Sequence, residues 1–326
     1  MKLIATATVI LTIVLTGCGS PIDSTTPPNP AFYEAPAASD PIPGVLLRAE
    51  PLGVNVPGAK SYRILYETAN SHGKPRPCGG ILFIPTTAAP SNGRLVIAWA
   101  HPVIGDNVAP SRSATPLEGT NPWLEEMIAR GWIVVGSDYA GVGTGSQEWL
   151  NGQAEARDLA YSVESVKAFA GSGASNEWVA WGISYGGHAA LWSGSLGATL
   201  LPTFHLLGIA AAAPVAELVA LEDAYGLPWA ANLRAETPPP PMASIPAIIA
   251  QGTRDEVVFP ATTALLEAQW CAATVRVESV WMRGVDHEGS GAAAASAVVD
   301  WIGARLQHRP VPNNCGTMAP IRPSQP

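Results

Sequence analysis

The string Gly182-Ile183-Ser184-Tyr185-Gly186 carries the clearest chemistry in this sequence. A serine hydroxyl between glycines is a weak signal by itself. Here it follows an apolar run, 178–182, and opens a small-residue segment of helical character, 186–195. That is the setting of a nucleophile elbow, a sharp strand-to-helix turn that strains the serine backbone and lifts its hydroxyl above a sheet. Strand and helix can approach closely there only if their neighbouring residues lack side chains, and Gly182, Gly186 and Gly187 meet that demand. The turn aims the Tyr185 N–H and the helix N-terminus at a developing oxyanion.

A serine hydroxyl attacks well only when a base takes its proton. The histidines are His72, His101, His188, His205, His287 and His308. At an elbow of this kind the order along the chain is serine, acid, histidine. His287 fits, in a loop (283–289) between an apolar run at 275–282 and the last helical pattern, 291–306. His308 lies in a Pro-rich tail, and His205 precedes a strand with no carboxylate near it. His188 is four residues along the helix from Ser184 and points down it, away from the tip of the elbow. The acid is expected after the preceding strand, 247–252, at Asp255, where it would accept from the His287 Nδ1–H and stabilise the imidazolium. Glu256 and Asp286 are its competitors. The second oxyanion donor is expected in the loop after 95–100, which reads His101-Pro102-Val103-Ile104. Proline has no N–H, so the donor is Val103, with Ile104 second, and His101 braces the loop.

These residues need a scaffold. Residues 61–68 alternate polar and apolar, and 80–85, 95–100, 132–137, 178–182, 207–213, 247–252 and 275–282 are short apolar runs, all of which predict strands. Helices are predicted over 121–130, 152–170, 186–195, 260–270 and 291–306. In 152–170 the residues Ala156, Leu159, Ala160, Val163, Val166 and Phe169 share a face, with Glu155, Arg157, Asp158, Glu164 and Lys167 mostly opposite. Alternating strands and helices predict an α/β fold: one doubly wound, mostly parallel sheet. Residues 214–244 fit no strand. They read as a short apolar cap, helical over 215–225 with a return through Pro238 to Pro241, and with Glu217, Glu222 and Asp223 on its wet face. An apolar cap suits acyl chains.

The chain has 326 residues and a formal net charge of -8; 13% is charged and 47% hydrophobic. That composition excludes a mostly disordered chain, and the acidic balance argues against a nucleic-acid partner. Met1-Lys2, an apolar run over 3–15 and Leu15-Thr16-Gly17-Cys18 form an export signal whose end resembles the bacterial lipobox. On that resemblance residues 1–17 are removed and acylated Cys18 holds the protein on a membrane. Gly19 follows, with no Asp to retain it at an inner membrane, which favours an outer membrane where the cell has one. Residues 18–44 read as a Pro-rich tether, 45–316 as the folded domain, and 317–326 as a Pro-rich tail. Cys78, Cys271 and Cys315 allow three single bridges, and the sequence alone does not choose among them. Cys271–Cys315 is favoured because it would fasten the tail to the domain, leaving Cys78 a buried free thiol. No His-x-x-x-His or Cys-x-x-Cys pair, phosphate loop or dinucleotide fingerprint appears, so no metal or cofactor is expected.

Trp181-Gly182-Ile183-Ser184-Tyr185-Gly186-Gly187-His188-Ala189-Ala190-Leu191 resembles the elbow and helix of the secretory triacylglycerol lipase family, within the α/β-hydrolases. His101-Pro102-Val103-Ile104-Gly105 running on to Ala109-Pro110-Ser111, then Ser137-Asp138-Tyr139-Ala140-Gly141-Val142-Gly143, and Trp270-Cys271 with Asp286-His287 look like the same family. The likeness covers roughly 45–316 and is specific mainly at these four places. It implies an α/β-hydrolase fold, an ester hydrolase, the triad Ser184, Asp255 and His287, and a family disulfide matching Cys271–Cys315. Asp138 in its loop reads as a structural tie. His-Pro stands where the family usually has His-Gly, and the cap is short, which favours small soluble esters over long-chain triglycerides. The substrate is a small-molecule or lipid ester, with the membrane reached through lipidated Cys18. A peptidase with the same triad and a non-catalytic surface lipoprotein are the competing readings.

Overall fold

The apolar runs pair into a nine-stranded sheet in a computed structural model described over residues 30–34, 41–103, 117, 120, 122–218, 220, 230–242 and 244–315. The strands are β1 (Leu46–Pro51), β2 (Ala59–Ala69), β3 (Pro75–Pro85), β4 (Arg94–Ala100), β5 (Ile133–Ser137), β6 (Ala174–Ile183), β7 (His205–Ala212), β8 (Ala247–Gly252) and β9 (Val277–Met282). Their spatial order is β1-β2-β3-β5-β4-β6-β7-β8-β9. From β5 to β9 every pairing is parallel. All residues of β4, β5 and β8 are buried, as a sheet covered on both faces requires. The expected mostly parallel α/β sheet is what the chain forms.

The N-terminal third differs from expectation. β1, β2 and β3 are antiparallel to their neighbours, and β3 is antiparallel to β5. β1 was not foreseen, because Arg48 and Glu50 break its apolar pattern; as an edge strand it tolerates them. β2 and β3 extend well beyond their apolar cores, in unbroken register from Ala59↔Pro85 to Ala69↔Pro75. Pro75 and Pro77 read as strand breakers in sequence. They are accommodated because β5 pairs only with residues 80–83 of β3, so the start of that strand is an edge.

The described helices are α1 (Pro30–Tyr33), α2 (Trp123–Ala129), α3 (Gly152–Ala168), α4 (Tyr185–Leu200), α5 (Ala230–Ala235), α6 (Pro260–Ala272) and α7 (Ser290–Leu306). On one sheet face Leu159 and Val163 of α3, Leu191 of α4 and Leu266 of α6 pack against Val96, Ala98 and Ile249. On the other, Trp123 of α2 and Val298 and Ile302 of α7 pack against Trp99, Val134 and Trp181. Trp99 and Trp123 have ring centroids 4.4 Å apart.

Part of the expected tether is docked. Phe32 and Tyr33 are buried with Leu65, and the Arg48 guanidinium donates to the carbonyls of Ala31, Phe32 and Glu34. Packing therefore starts upstream of residue 45. The signal segment 1–17, Cys18 and the tail 317–326 lie outside the described residues.

Cys271, in the last turn of α6, is bonded to Cys315, with Cα atoms 5.6 Å apart, and Cys78 is a buried thiol in β3. Next to the bridge, Asn314 takes the place of a strand residue at the β9 edge. Its N–H donates to Val277 O (3.1 Å), while its amide accepts from Ser279 N (2.8 Å) and donates to Ser279 O (2.9 Å). The bridge closes a separation of 44 residues. The double variant Cys271→Ser/Cys315→Ser is expected to lose about 2–4 kcal/mol, read as a Tm fall of roughly 5–15 °C in a thermal melt followed by circular dichroism.

Candidate active site

Ser184 stands between the end of β6 and the start of α4 with φ 57 and ψ -118, a conformation L residues rarely adopt. The turn is tied to neighbouring strand ends. Ser184 N donates to Ala212 O (2.9 Å), and Ser184 O accepts from His188 N (3.2 Å) and Val215 N (3.1 Å). A Cβ on Gly182 would run into the Gly186 carbonyl, and one on Gly186 into the Ala100 carbonyl. A Cβ on Gly187 would come within 2.8 Å of the Pro214 backbone. All three positions are therefore closed to side chains by backbone.

Three loops at the C-terminal end of the parallel strands meet at this serine. His287 Nε2 lies 2.9 Å from Ser184 Oγ, and His287 Nδ1 lies 2.9 Å from Asp255 Oδ2. A carboxylate can only accept, so Nδ1 carries the proton and bare Nε2 is free to accept from the serine hydroxyl. Asp255 is buried, and Oδ1 accepts from Val257 N (2.9 Å) and Val258 N (2.8 Å). Its competitors point elsewhere. Glu256 is exposed, and Asp286 accepts from Gly289 N (2.9 Å) at the start of α7.

Sequence reasoning passes over Gln251. It is fully buried at the end of β8, and its amide N–H donates to Asp255 Oδ2 (3.0 Å) and Val258 O (3.2 Å). Its Oε1 accepts from Thr263 Oγ1 (2.6 Å), which fixes the orientation of the amide. The available signal was its position as the one polar side chain in Ala-Ile-Ile-Ala-Gln-Gly.

Gly186 abuts the carbonyls of Ala100 and His101, so the loop carrying Val103 leaves the sheet beside the elbow; Val103 is exposed. Ile104 lies outside the described residues. His101 Nδ1–H donates to Pro102 O (2.6 Å), and the Tyr139 hydroxyl donates to His101 O (3.0 Å). Tyr139 is held at φ 61 with its N–H on Ser137 Oγ (3.0 Å), and its ring meets Tyr185 edge-on at 5.0 Å. Asp138 is buried against Gly79, where a Cβ would meet its carboxylate.

Two carboxylates expected on the wet face of α3 are buried. Asp158 accepts from Thr68 Oγ1 and Ala140 N, both at 2.9 Å, so it joins β2 to the loop after β5. Burial pushes its carboxyl up to about 7. Glu155 pairs with His188, Nδ1 to Oε2 at 2.6 Å. The physical reason is that α3 lies over β2 as well as the parallel strands, so loops cover its second face. Glu217, also expected to be wet, is buried, and burial raises its carboxyl. Glu222, Asp223 and most of the predicted 215–225 helix lie outside the described residues. Among the described residues no group of three or more His, Cys, Asp or Glu could hold a metal ion.

Residues 116–226, which include Ser184, match the model of the secretory lipase family. No curated protein sequence matches the chain. Among solved structures, lipase A of Candida antarctica is similar with a TM-score of 0.70 at 15% identity, covering 90% of each chain. The rice cell wall degrading esterase LipA of Xanthomonas oryzae is similar at 0.61 and 17%, covering 83% of this chain and 100% of that one. A putative hydrolase of Legionella pneumophila is similar at 0.62 and 13%, covering 82% and 99%. At these identities the likeness to solved structures is one of fold.

Proposed function

We propose that this chain, whose residues 116–226 match the secretory lipase family and whose fold is that of lipases and esterases, is an ester hydrolase of that family working through an acyl-enzyme on Ser184. The reading is carried by the relay of two 2.9 Å contacts from Asp255 through His287 to Ser184. His287 Nε2 takes the hydroxyl proton as Oγ bonds to the ester carbonyl carbon. The oxyanion accepts from the Tyr185 N–H at the head of α4 and from Val103. The imidazolium, stabilised by Asp255, gives its proton to the leaving alcohol oxygen as the C–O bond breaks. Water then enters and loses a proton to His287, its oxygen bonds to the acyl carbon, and Ser184 departs with its proton restored. Gln251 and the Val257 and Val258 amides hold the Asp255 carboxylate in place beside the ring.

Pro102 in the oxyanion loop and the short connection between β7 and β8, read as the cap, favour small soluble esters. Cys18 is the proposed lipid attachment site, placing the enzyme outside the cytoplasm on a membrane. The described helices include none long and apolar enough to cross one.

Ser184→Ala is expected to cut kcat for p-nitrophenyl esters by about 10⁴–10⁶-fold and abolish fluorophosphonate labelling, with an unchanged circular dichroism spectrum. Asp255→Asn should cost about 10⁴-fold. Full turnover by a folded Ser184→Ala chain refutes the mechanism. In an acyl-length series kcat/KM should peak at acetyl to hexanoyl esters and fall at palmitoyl, and the reverse order overturns the substrate reading. Cells fed an alkyne fatty acid should label the wild-type chain but not Cys18→Ser; equal labelling removes Cys18 as the anchor.

A further inference from the structure

The buried pair of Glu155 and His188 takes no part in the proposed reaction, yet it stands one turn along α4 from Ser184. Both ring nitrogens of His188 face acceptors: Glu155 Oε2 at 2.6 Å from Nδ1, and the backbone carbonyl of Glu236 at 2.7 Å from Nε2. A carbonyl only accepts, so Nε2 is the donor there. The Trp192 indole N–H, one turn further along α4, lies 3.1 Å from both the same Glu236 carbonyl and His188 Nε2; with Nε2 protonated it donates to the carbonyl. The Glu155–Nδ1 contact must also hold a proton, whichever partner carries it, because a bare ring nitrogen facing a carboxylate is repulsive. The carboxylate of Glu236 in turn accepts from Gly152 N (2.8 Å) at the start of α3.

Glu236 closes the stretch containing α5 and lies near the far end of the β7–β8 connection. The near end is tied to the same helix turn, through Val215 N on Ser184 O. Beyond Glu236 the return runs along α4, with Ser195 Oγ donating to Pro239 O (2.7 Å). Both ends of the connection are thus strapped to the helix that carries the nucleophile.

We propose that His188 is a positioning residue, a proton-dependent latch that holds the Glu236 end of the β7–β8 connection on α4 and releases it when the His188–Glu155 pair loses its proton to solvent. As a control on the active site the proposal rests on the acyl-enzyme reading; the latch itself does not.

The groups facing the ring are Glu155 from α3, Glu236 from the connection and Trp192 from α4 itself, and Glu155 in turn faces Tyr185 of α4 and Asp158 of α3. The strands beneath α4, namely β4, β6 and β7, carry charged or titratable side chains only toward their N-terminal ends: Arg94, Glu177 and His205. Burial alone lowers the basicity of His188. The charge and hydrogen bond of Glu155, with the Glu236 carbonyl, outweigh it and leave the ring above its ordinary pKa. A histidine raised in the folded state contributes its full stabilisation below the ordinary histidine range. It loses that contribution as pH rises through the raised value. The latch is closed in acid and opens as pH rises through that raised value.

Arg234 is the one basic residue in 214–244, it is exposed, and it lies two residues before Glu236. Trypsin nicking after Arg234 therefore reports the latch without reference to catalysis. The purified whole chain would be digested briefly from pH 6.5 to 9.5, with rates normalised to trypsin's turnover of a small arginine anilide. Nicking at Arg234 should rise with pH, by up to about tenfold per unit below the ring's pKa, with no matching rise at Arg130. In Glu155→Gln the amide donates to Nδ1 while Nε2–H keeps the Glu236 carbonyl, so no proton need leave and the rate should stay flat. The wild-type titration needs no variant to fold. A flat wild-type profile, a parallel rise at Arg130, or an unchanged rise in folded Glu155→Gln overturns the proposal. Fluorophosphonate labelling run alongside separates the two readings. Labelling with flat nicking sinks the latch alone, and rising nicking without labelling sinks the acyl-enzyme alone.

Discussion

Backbone crowding at the head of α4 is the constraint on which the remaining geometry depends. The Ala100 carbonyl occupies the place of any side chain on residue 186, and the Gly186 carbonyl that of any side chain on residue 182. Only with both positions bare can β6 turn into α4 directly, with Ser184 held in a rare conformation by Ala212, His188 and Val215. Because β4, β6, β7 and β8 are parallel neighbours, the loops after them open on one rim. The serine is thereby set beside the Val103 loop and in reach of His287.

A second layer of polar groups supports that rim from below. Gln251 and Thr263 hold Asp255, Asp158 holds the loop after β5, and Tyr139 holds the carbonyl of His101. Each is buried with its hydrogen bonds made, which is the condition for a polar side chain to stiffen an interior instead of destabilising it. The His188–Glu155–Glu236 group belongs to this layer and differs from the rest in needing a titratable proton.

Much of this was legible in the chain. The parallel strands are short apolar runs, and their alternation with helices specifies the sheet class. The glycines around Ser184 announce a close approach, and the order of Ser184, Asp255 and His287 names residues that the fold then brings to 2.9 Å separations. Less was legible where burial does not follow local pattern. β1 hid behind Arg48 and Glu50, the first half of β3 behind its prolines, and Phe32 and Tyr33 dock from a segment whose composition reads as a linker.

The residue types by themselves determined the parallel strands, the long helices, the elbow and the reactive groups, because period, glycine placement and hydroxyl or imidazole chemistry are local properties. The pairing of Cys271 with Cys315 is one of three bridges that the sequence permits, and the packed chain selects it by bringing those two residues together. Glu155 and Asp158 read as solvent-facing, since helical spacing sees only the helix. Whether a helix has one covered face or two depends on distant segments, here β2, the loop after β5 and the return through Glu236. Burial is a property of the whole assembly of elements, and so only the tertiary structure could decide where charge would be enclosed.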